Sequence, residues 1–179
     1  MMKILTTACF ALAWSIAPAG APPQLAPGTE LPALQAKTLA GAEMNLPKDG
    51  KGRGALLVVG FSKASADVTR PWLEACRTTA APKPAATRTT CYDVRMLAEV
   101  PWLLRGLVER GMRSGLPADL QKTVLLIYSD NDAWRKRLGV ADANSAYVVA
   151  CDKDGIVRAT TKGPHAQKEL ERLLGLIQG

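Results

Sequence analysis

Apolar residues along the chain fall into short unbroken runs that alternate with stripes at helical spacing. Ala55-Leu-Leu-Val-Val-Gly-Phe61 is such a run, the pattern of a strand covered on both faces, as parallel sheets demand. Ser62 or Ser65 then stands where a helix cap belongs, and Val68, Trp72, Leu73 and Cys76 share the inner side of the helix that follows. Pro82 and Pro84 among Ala and Thr mark 78–90 as a loop. A second strand is predicted from Cys91 to Leu97. After it comes a helix whose inner stripe is Trp102, Leu103, Leu104, Leu107, Val108 and Met112, stopped near Gly115 and Pro117. Thr123 to Tyr128 is a third core strand, Trp134 to Leu138 belongs to a short helix, and Ala146 to Cys151 is a fourth core strand. Asp152-Lys-Asp-Gly155 turns the chain into Ile156 to Thr161, a hairpin signal. Gly163-Pro164 opens a last helix with Leu170, Leu173, Leu174 and Ile177 on one face. Ahead of this core, Leu34 to Leu46 with Gly41 at its middle suits a hairpin, and Gly50 to Gly54 is a turn. Residues 20–32 hold Pro22, Pro23, Pro27 and Pro32 and read as an extended arm rather than a packed element.

Strand and helix alternate, and an antiparallel hairpin closes the series. By analogy of element order this is an α/β chain of the thioredoxin-like fold in its peroxiredoxin-type elaboration. Such a fold has a central mixed sheet flanked by helices, with an N-terminal β-hairpin. The domain spans 33–179, with no internal repeat and no second domain. A length of 179 residues is enough to bury one proper core, and a hydrophobic share of 47% separates the chain from disordered ones.

The first residues change where this domain is expected to work. Met1, Met2 and Lys3 make a positive start, Ile4 to Ala17 carries no charge, and Pro18 is followed by Ala19, Gly20 and Ala21. That is the pattern of a secretory signal peptide. Ala17-x-Ala19 places the cut after Ala19, so 1–19 is read as leader and the product as exported to the periplasm or cell envelope. The apolar stretch is short for a membrane-spanning helix. The net charge of +7 then points away from nucleic acid and toward an acidic protein partner or the lipid head groups of an anionic membrane surface. The densest basic spot, Trp134-Arg-Lys-Arg137, reads as the solvated face of a short helix. Export also allows a bridge between Cys76 and Cys91, which leaves Cys151 free.

Thioredoxin-like enzymes carry a nucleophilic Cys at the start of the helix after the first core strand, where the positive helix end favours thiolate. Here that place is Ser62-Lys-Ala-Ser-Ala-Asp-Val-Thr-Arg70, which contains no Cys. Ser62, Ser65, Ala66 and Thr69 are the degenerate thiol-site positions, Ala66 and Thr69 standing where the two thiols belong. The proline expected before the facing strand is also missing, since Asn144-Ser145-Ala146 occupies that region. Gly60-Phe-Ser62-Lys-Ala64, with Asp130 or Asp152 and then His165, imitates the chain order of a serine hydrolase, but its second Gly is Ala64. His165 reads as a surface residue, Asp152 and Asp154 as a plain turn, and Trp72 and Trp102 as core. No phosphate-binding glycine loop occurs. No cofactor, metal or catalytic residue is assigned.

The order and spacing of several short pieces resemble the mitochondrial ATP-synthase assembly-factor family, within the thioredoxin-like (peroxiredoxin/TlpA-type) superfamily. They are Leu39-Ala-Gly-Ala-Glu-Met-Asn-Leu-Pro47, Phe61-Ser62 with Trp72, Tyr92-Asp-Val94, Leu138-Gly-Val140 with Asn144, Ala146-Tyr-Val-Val149, and Asp152-x-Asp-Gly-Ile-Val-Arg158 with Gly163. A secretory leader in place of an Arg- and Ser-rich transit peptide makes the chain similar to a bacterial, exported relative. The resemblance implies a non-enzymatic, redox-inactive binding or assembly factor for an envelope or membrane protein, its partner an integral membrane subunit. The alternative is a thiol–disulfide oxidoreductase or peroxidase with relocated cysteines, Cys76 and Cys91. A third reading is hydrolysis through Ser62.

Overall fold

The structure, a computed structural model, describes residues 24–84 and 88–178. The expected leader and the first residues of the arm lie outside them. One seven-stranded sheet runs through the molecule in the order β2-β1-β5-β4-β3-β6-β7. Its strands are β1 (Leu34–Thr38), β2 (Glu43–Leu46), β3 (Ala55–Gly60), β4 (Thr90–Met96), β5 (Val124–Ile127), β6 (Tyr147–Cys151) and β7 (Val157–Lys162). β3, β4 and β5 are parallel, while the β1–β2 hairpin and the β6–β7 hairpin join antiparallel on either side. The helices are α1 (Ser65–Ala80), α2 (Trp102–Ser114), α3 (Asn131–Leu138) and α4 (Gln167–Gln178). This is the thioredoxin-like arrangement, a mixed sheet with helices on both faces.

β3 sits between neighbours on both edges and between side-chain layers on both faces, so all six of its residues are buried. Alternation along it divides the core. Leu56 and Val58 face Trp72, Leu73 and Cys76 of α1 and Leu170 and Leu173 of α4. Leu57 and Val59 face the opposite layer, with Trp134 of α3, Tyr147 and Leu25. Each such fully buried side chain contributes roughly 1.5–3 kcal/mol of transfer free energy.

Three expectations are corrected by packing. The described part of the 20–32 arm is not loose: Gly28 and Leu31 donate to Val157 O and Gly155 O, Val157 donates to Thr29 O, and Leu25 and Leu31 are buried. The last helix starts at Gln167 rather than at Gly163-Pro164. Gly163 instead sits at φ +102° and donates to Ala146 O, a conformation that suits glycine and ends the strand hairpin. The third correction is the largest. α2 turns away from its expected stripe: Trp102, Leu103, Leu104 and Leu107 are exposed, and the residue it buries is Glu109. Glu109 accepts a hydrogen bond from the Tyr128 hydroxyl at 2.6 Å and from Arg113 at 2.9 Å, with Lys37 at 3.5 Å. The Tyr128 bond first, then the two cations, holds its carboxyl below the usual range. A charged anchor therefore sets the rotation of α2, and Met112 is the one side chain of α2 that joins Leu97, Leu116 and Tyr128 against the small cluster of Leu39, Val124 and Leu126 beneath it.

Candidate functional site

The turn from β3 into α1 is closely built. Ser65 donates its hydroxyl to Ser62 O at 2.7 Å, and the Ser65 amide donates to the Ser62 hydroxyl oxygen at 3.1 Å. Ser62 in turn donates to Asn144 Oδ1 at 2.8 Å, across the gap to the loop before β6. The place where a thiol pair would lie is thus occupied by a Ser62–Asn144 bridge, with Ser65 and Thr69 fully buried and Ala66 half-buried. Gly60 makes this turn possible. A Cβ there would stand 2.5 Å from Ser65 Oγ and 3.3 Å from Arg95 Nη1. Gly60→Ala is expected to cost about 1–3 kcal/mol by overpacking. Adding Ser65→Ala should return most of it in denaturant midpoints, and no recovery would place the strain elsewhere.

Beneath α1, β4 presents alternate residues upward. Register pairs Cys91 with Leu56, Asp93 with Val58, and Arg95 with Gly60, so all three face α1. Cys91 forms a disulfide with Cys76, S–S 2.02 Å and Cα–Cα 6.2 Å. Cys76 lies eleven residues into α1, about 16 Å below its start at 1.5 Å per residue and within its last two turns. The positive helix end that activates a thiol is therefore out of reach, and the negative end is nearer. Both sulfurs belong to buried residues.

Midway between the bridge and the Ser65 turn, Asp93 and Arg95 form a buried ion pair. The Nε–Oδ1 contact is short at 2.7 Å but badly aligned, and the directed hydrogen bond is Arg95 Nη2 to Asp93 Oδ2 at 2.9 Å. Burial pushes the Asp93 carboxyl above its ordinary value, and Arg95 pulls against that shift. Nothing in the sequence pattern marked this pair, because polar residues in a strand ordinarily face solvent.

The structure does not assemble the other candidate groups. His165 is half-buried with its ring edge-on to Trp72 at 5.2 Å, so it is not a plain surface residue. Asp152 accepts from the amides of Asp154 and Ile156 and from Arg158, which is a closed turn. Asp130 accepts from Ser129, and neither carboxylate nor His165 is a partner of Ser62. The hydrolase constellation is absent, and no cluster able to hold a metal occurs among the described residues. Burial pushes the free Cys151 thiol up to about 12, with Asp152 adding to the shift, so Cys151 is not a nucleophile at neutral pH. Trp72 is core, whereas Trp102 is 74% exposed. In the basic spot, Trp134 is buried and Arg135 and Arg137 lie over the rings of Phe61 and Trp134, so it is no free cationic patch.

No family model matches the chain, and no curated protein matches it. Solved structures do. A protein assigned as thiol:disulfide interchange protein DsbE from Chlorobium tepidum superposes with a TM-score of 0.60 at 18% identity, covering 87% of this chain and 100% of that one. A thiol:disulfide interchange protein from Bacteroides sp. gives 0.58 at 18%, over 87% of this chain and 92% of the other. A peroxiredoxin-like protein from Aquifex aeolicus gives 0.55 at 15%, over 88% and 91%. At these identities the likeness establishes the thioredoxin-like fold, and the assembly-factor family is not shown. The expectation of a redox-inactive protein is overturned by the bridge itself. A formed disulfide between α1 and β4 gives this fold a redox-capable thiol couple, displaced from the helix start.

Proposed function

We propose that the protein is an exported thiol–disulfide oxidoreductase whose redox couple is Cys76–Cys91, relocated from the start of α1 to its lower half. The observation that carries this reading is the formed bridge in a thioredoxin-like fold. The 1–19 leader pattern supports export, an environment in which such a bridge persists. A thiolate of a partner dithiol attacks Cys91 Sγ, on the less buried of the two residues, 5% exposed against 0% for Cys76. Cys76 leaves as thiolate and takes up a proton. The partner's second thiol then displaces Cys91 from the mixed disulfide. Two electrons and two protons pass to the bridge, and the partner becomes a disulfide. Because both sulfurs are covered, attack requires local opening between the end of α1 and the start of β4. Cys76 near the negative helix end is also a reluctant leaving group. Exchange is accordingly slow and selective for partners able to reach the couple.

The test is intact-mass analysis of the exported protein under native conditions, alkylated before and after excess dithiothreitol and again after an oxidised dithiol. The expected result is two added alkyl groups on reduction, their loss on reoxidation, Cys151 unmodified throughout, and a mass beginning after Ala19. A bridge that resists the dithiol until the protein is denatured overturns the reading. A mass beginning at Met1 overturns the cleaved leader.

A further inference from the structure

We propose that the outward face of α2 docks the protein on an anionic membrane surface, a property separate from the thiol couple. The rotation imposed by Glu109 is what creates this face. Trp102, Leu103 and Leu107 are 74%, 72% and 65% exposed, and Leu104 is 49% exposed. Four large apolar side chains within two helical turns form the kind of contiguous patch that marks an interaction site. No other element of the described residues covers them.

The charge around the patch selects the occupant. Glu109 is the helix's single carboxylate, and it is turned inward to Tyr128, Arg113 and Lys37. One negative charge thus meets two cations, and the surplus is positive. Arg110 is exposed on the outward side beside Leu103 and Leu107, so that side carries a cation and no carboxylate. Glu99, the nearest acid before the helix, is exposed and accepts a hydrogen bond from Asn131 of α3 at 3.4 Å. A helix with Trp and Leu on its free side, Arg at the flank and no exposed acid matches the boundary between anionic headgroups and acyl chains. Trp102 at the helix start suits that boundary, where an aromatic ring is half wet. The full chain's net charge is +7, and the product cut after Ala19 loses only Lys3 from it, so the overall charge adds attraction of the same sign.

The experiment is co-sedimentation of the exported protein with vesicles of phosphatidylcholine alone and of phosphatidylcholine with phosphatidylglycerol, at low and high salt. Leu103→Ser/Leu107→Ser and Arg110→Glu variants are run alongside, their fold checked by circular dichroism. Trp102→Phe assigns the fluorescence. Binding to the anionic vesicles is expected, with a blue shift from Trp102. The double Leu variant should weaken it at least tenfold, and Arg110→Glu should lower both the affinity and its salt dependence. Because the substituted residues are exposed, loss of binding with an unchanged fold reads the surface directly. Absence of binding, equal binding to neutral vesicles, or binding unchanged in the double Leu variant overturns the proposal. So does self-association that the same variant abolishes without any vesicle binding.

Discussion

Asp93→Ala should lose about 3–5 kcal/mol of stability, because it leaves the Arg95 guanidinium buried without its partner. Arg95 is only 14% exposed at its side chain and Asp93 7%, so water cannot take over for the missing carboxylate. That loss is a large share of the 5–15 kcal/mol a domain of this kind possesses. Replacing the pair together by apolar residues of similar volume should cost far less than Asp93→Ala alone. Such an outcome would show that the penalty belongs to the orphaned charge rather than to lost attraction. The pair also sets a pH dependence. Burial raises the Asp93 carboxyl above 3.8, the value it has when unperturbed. Between that value and its folded value, the folded chain holds a proton that the unfolded chain has released. Stability from this group is therefore fullest at acid pH, falls as pH rises through the window, and is flat above it. Asp152 and Glu109 have lowered values and act in the opposite sense, their contributions being lost as pH falls. The difference between wild type and Asp93→Asn isolates Asp93. Denaturant midpoints measured from acid to neutral pH should show wild type losing stability relative to Asp93→Asn as pH rises. Wild type gaining on the variant instead would mean that Arg95 outweighs burial.

The elements that could be read from residues alone are those whose pattern has one physical solution. An unbroken run such as Ala55–Phe61 has no polar side to expose, so only a doubly covered strand accommodates it, and β3 is that strand. The Asp152–Gly155 turn was legible for the same reason: its Asp closes the turn through two amides, and Gly155 takes φ +83°. What could not be read was which side of an amphipathic helix finds a cover. The spacing in α2 places Leu103 and Leu107 together, but it does not say whether a sheet lies beneath them. Glu109 decided the matter through Tyr128 and Lys37, from β5's end and β1, contacts that no local window contains. The emptied helix start was visible in the sequence as missing sulfur. The inference from that absence to an inert protein failed, because a thiol couple needs only two sulfurs brought together. Cys76 and Cys91 are brought together by the return of the chain from α1 to β4. The Asp93–Arg95 pair escaped notice because nothing in a strand's alternation distinguishes a polar residue facing water from one facing a helix.

Removing the bridge should show how strongly the fold and the couple depend on each other. The two cysteines are 15 residues apart in sequence, and a closed loop of about 15 residues is worth about 3 kcal/mol of unfolded-chain entropy. Cys76→Ala/Cys91→Ala is chosen over serine because a hydroxyl at these buried positions would add its own desolvation cost. For a domain of this size the melting point should fall by about 6–12 °C, at roughly 2–4 °C per kcal/mol. Wild type reduced with dithiothreitol should fall by a similar amount, since it loses the same constraint. Folding and oxidation are linked by one thermodynamic cycle. Whatever the bridge adds to the fold, the fold adds to the bridge. About 3 kcal/mol corresponds to a couple about 65 mV harder to reduce in the folded chain than in the unfolded one, at 30 mV per 1.4 kcal/mol. Equilibrating native and denatured protein against the same dithiol buffers measures that gap. A gap near zero with a large melting-point loss would break the cycle, and would mean that the alanine variant unfolds for a reason other than the missing bridge. A gap of the expected size with the reduced protein still folded would mean that Cys76 and Cys91 can change redox state inside an intact domain, which is the condition thiol exchange at this site requires.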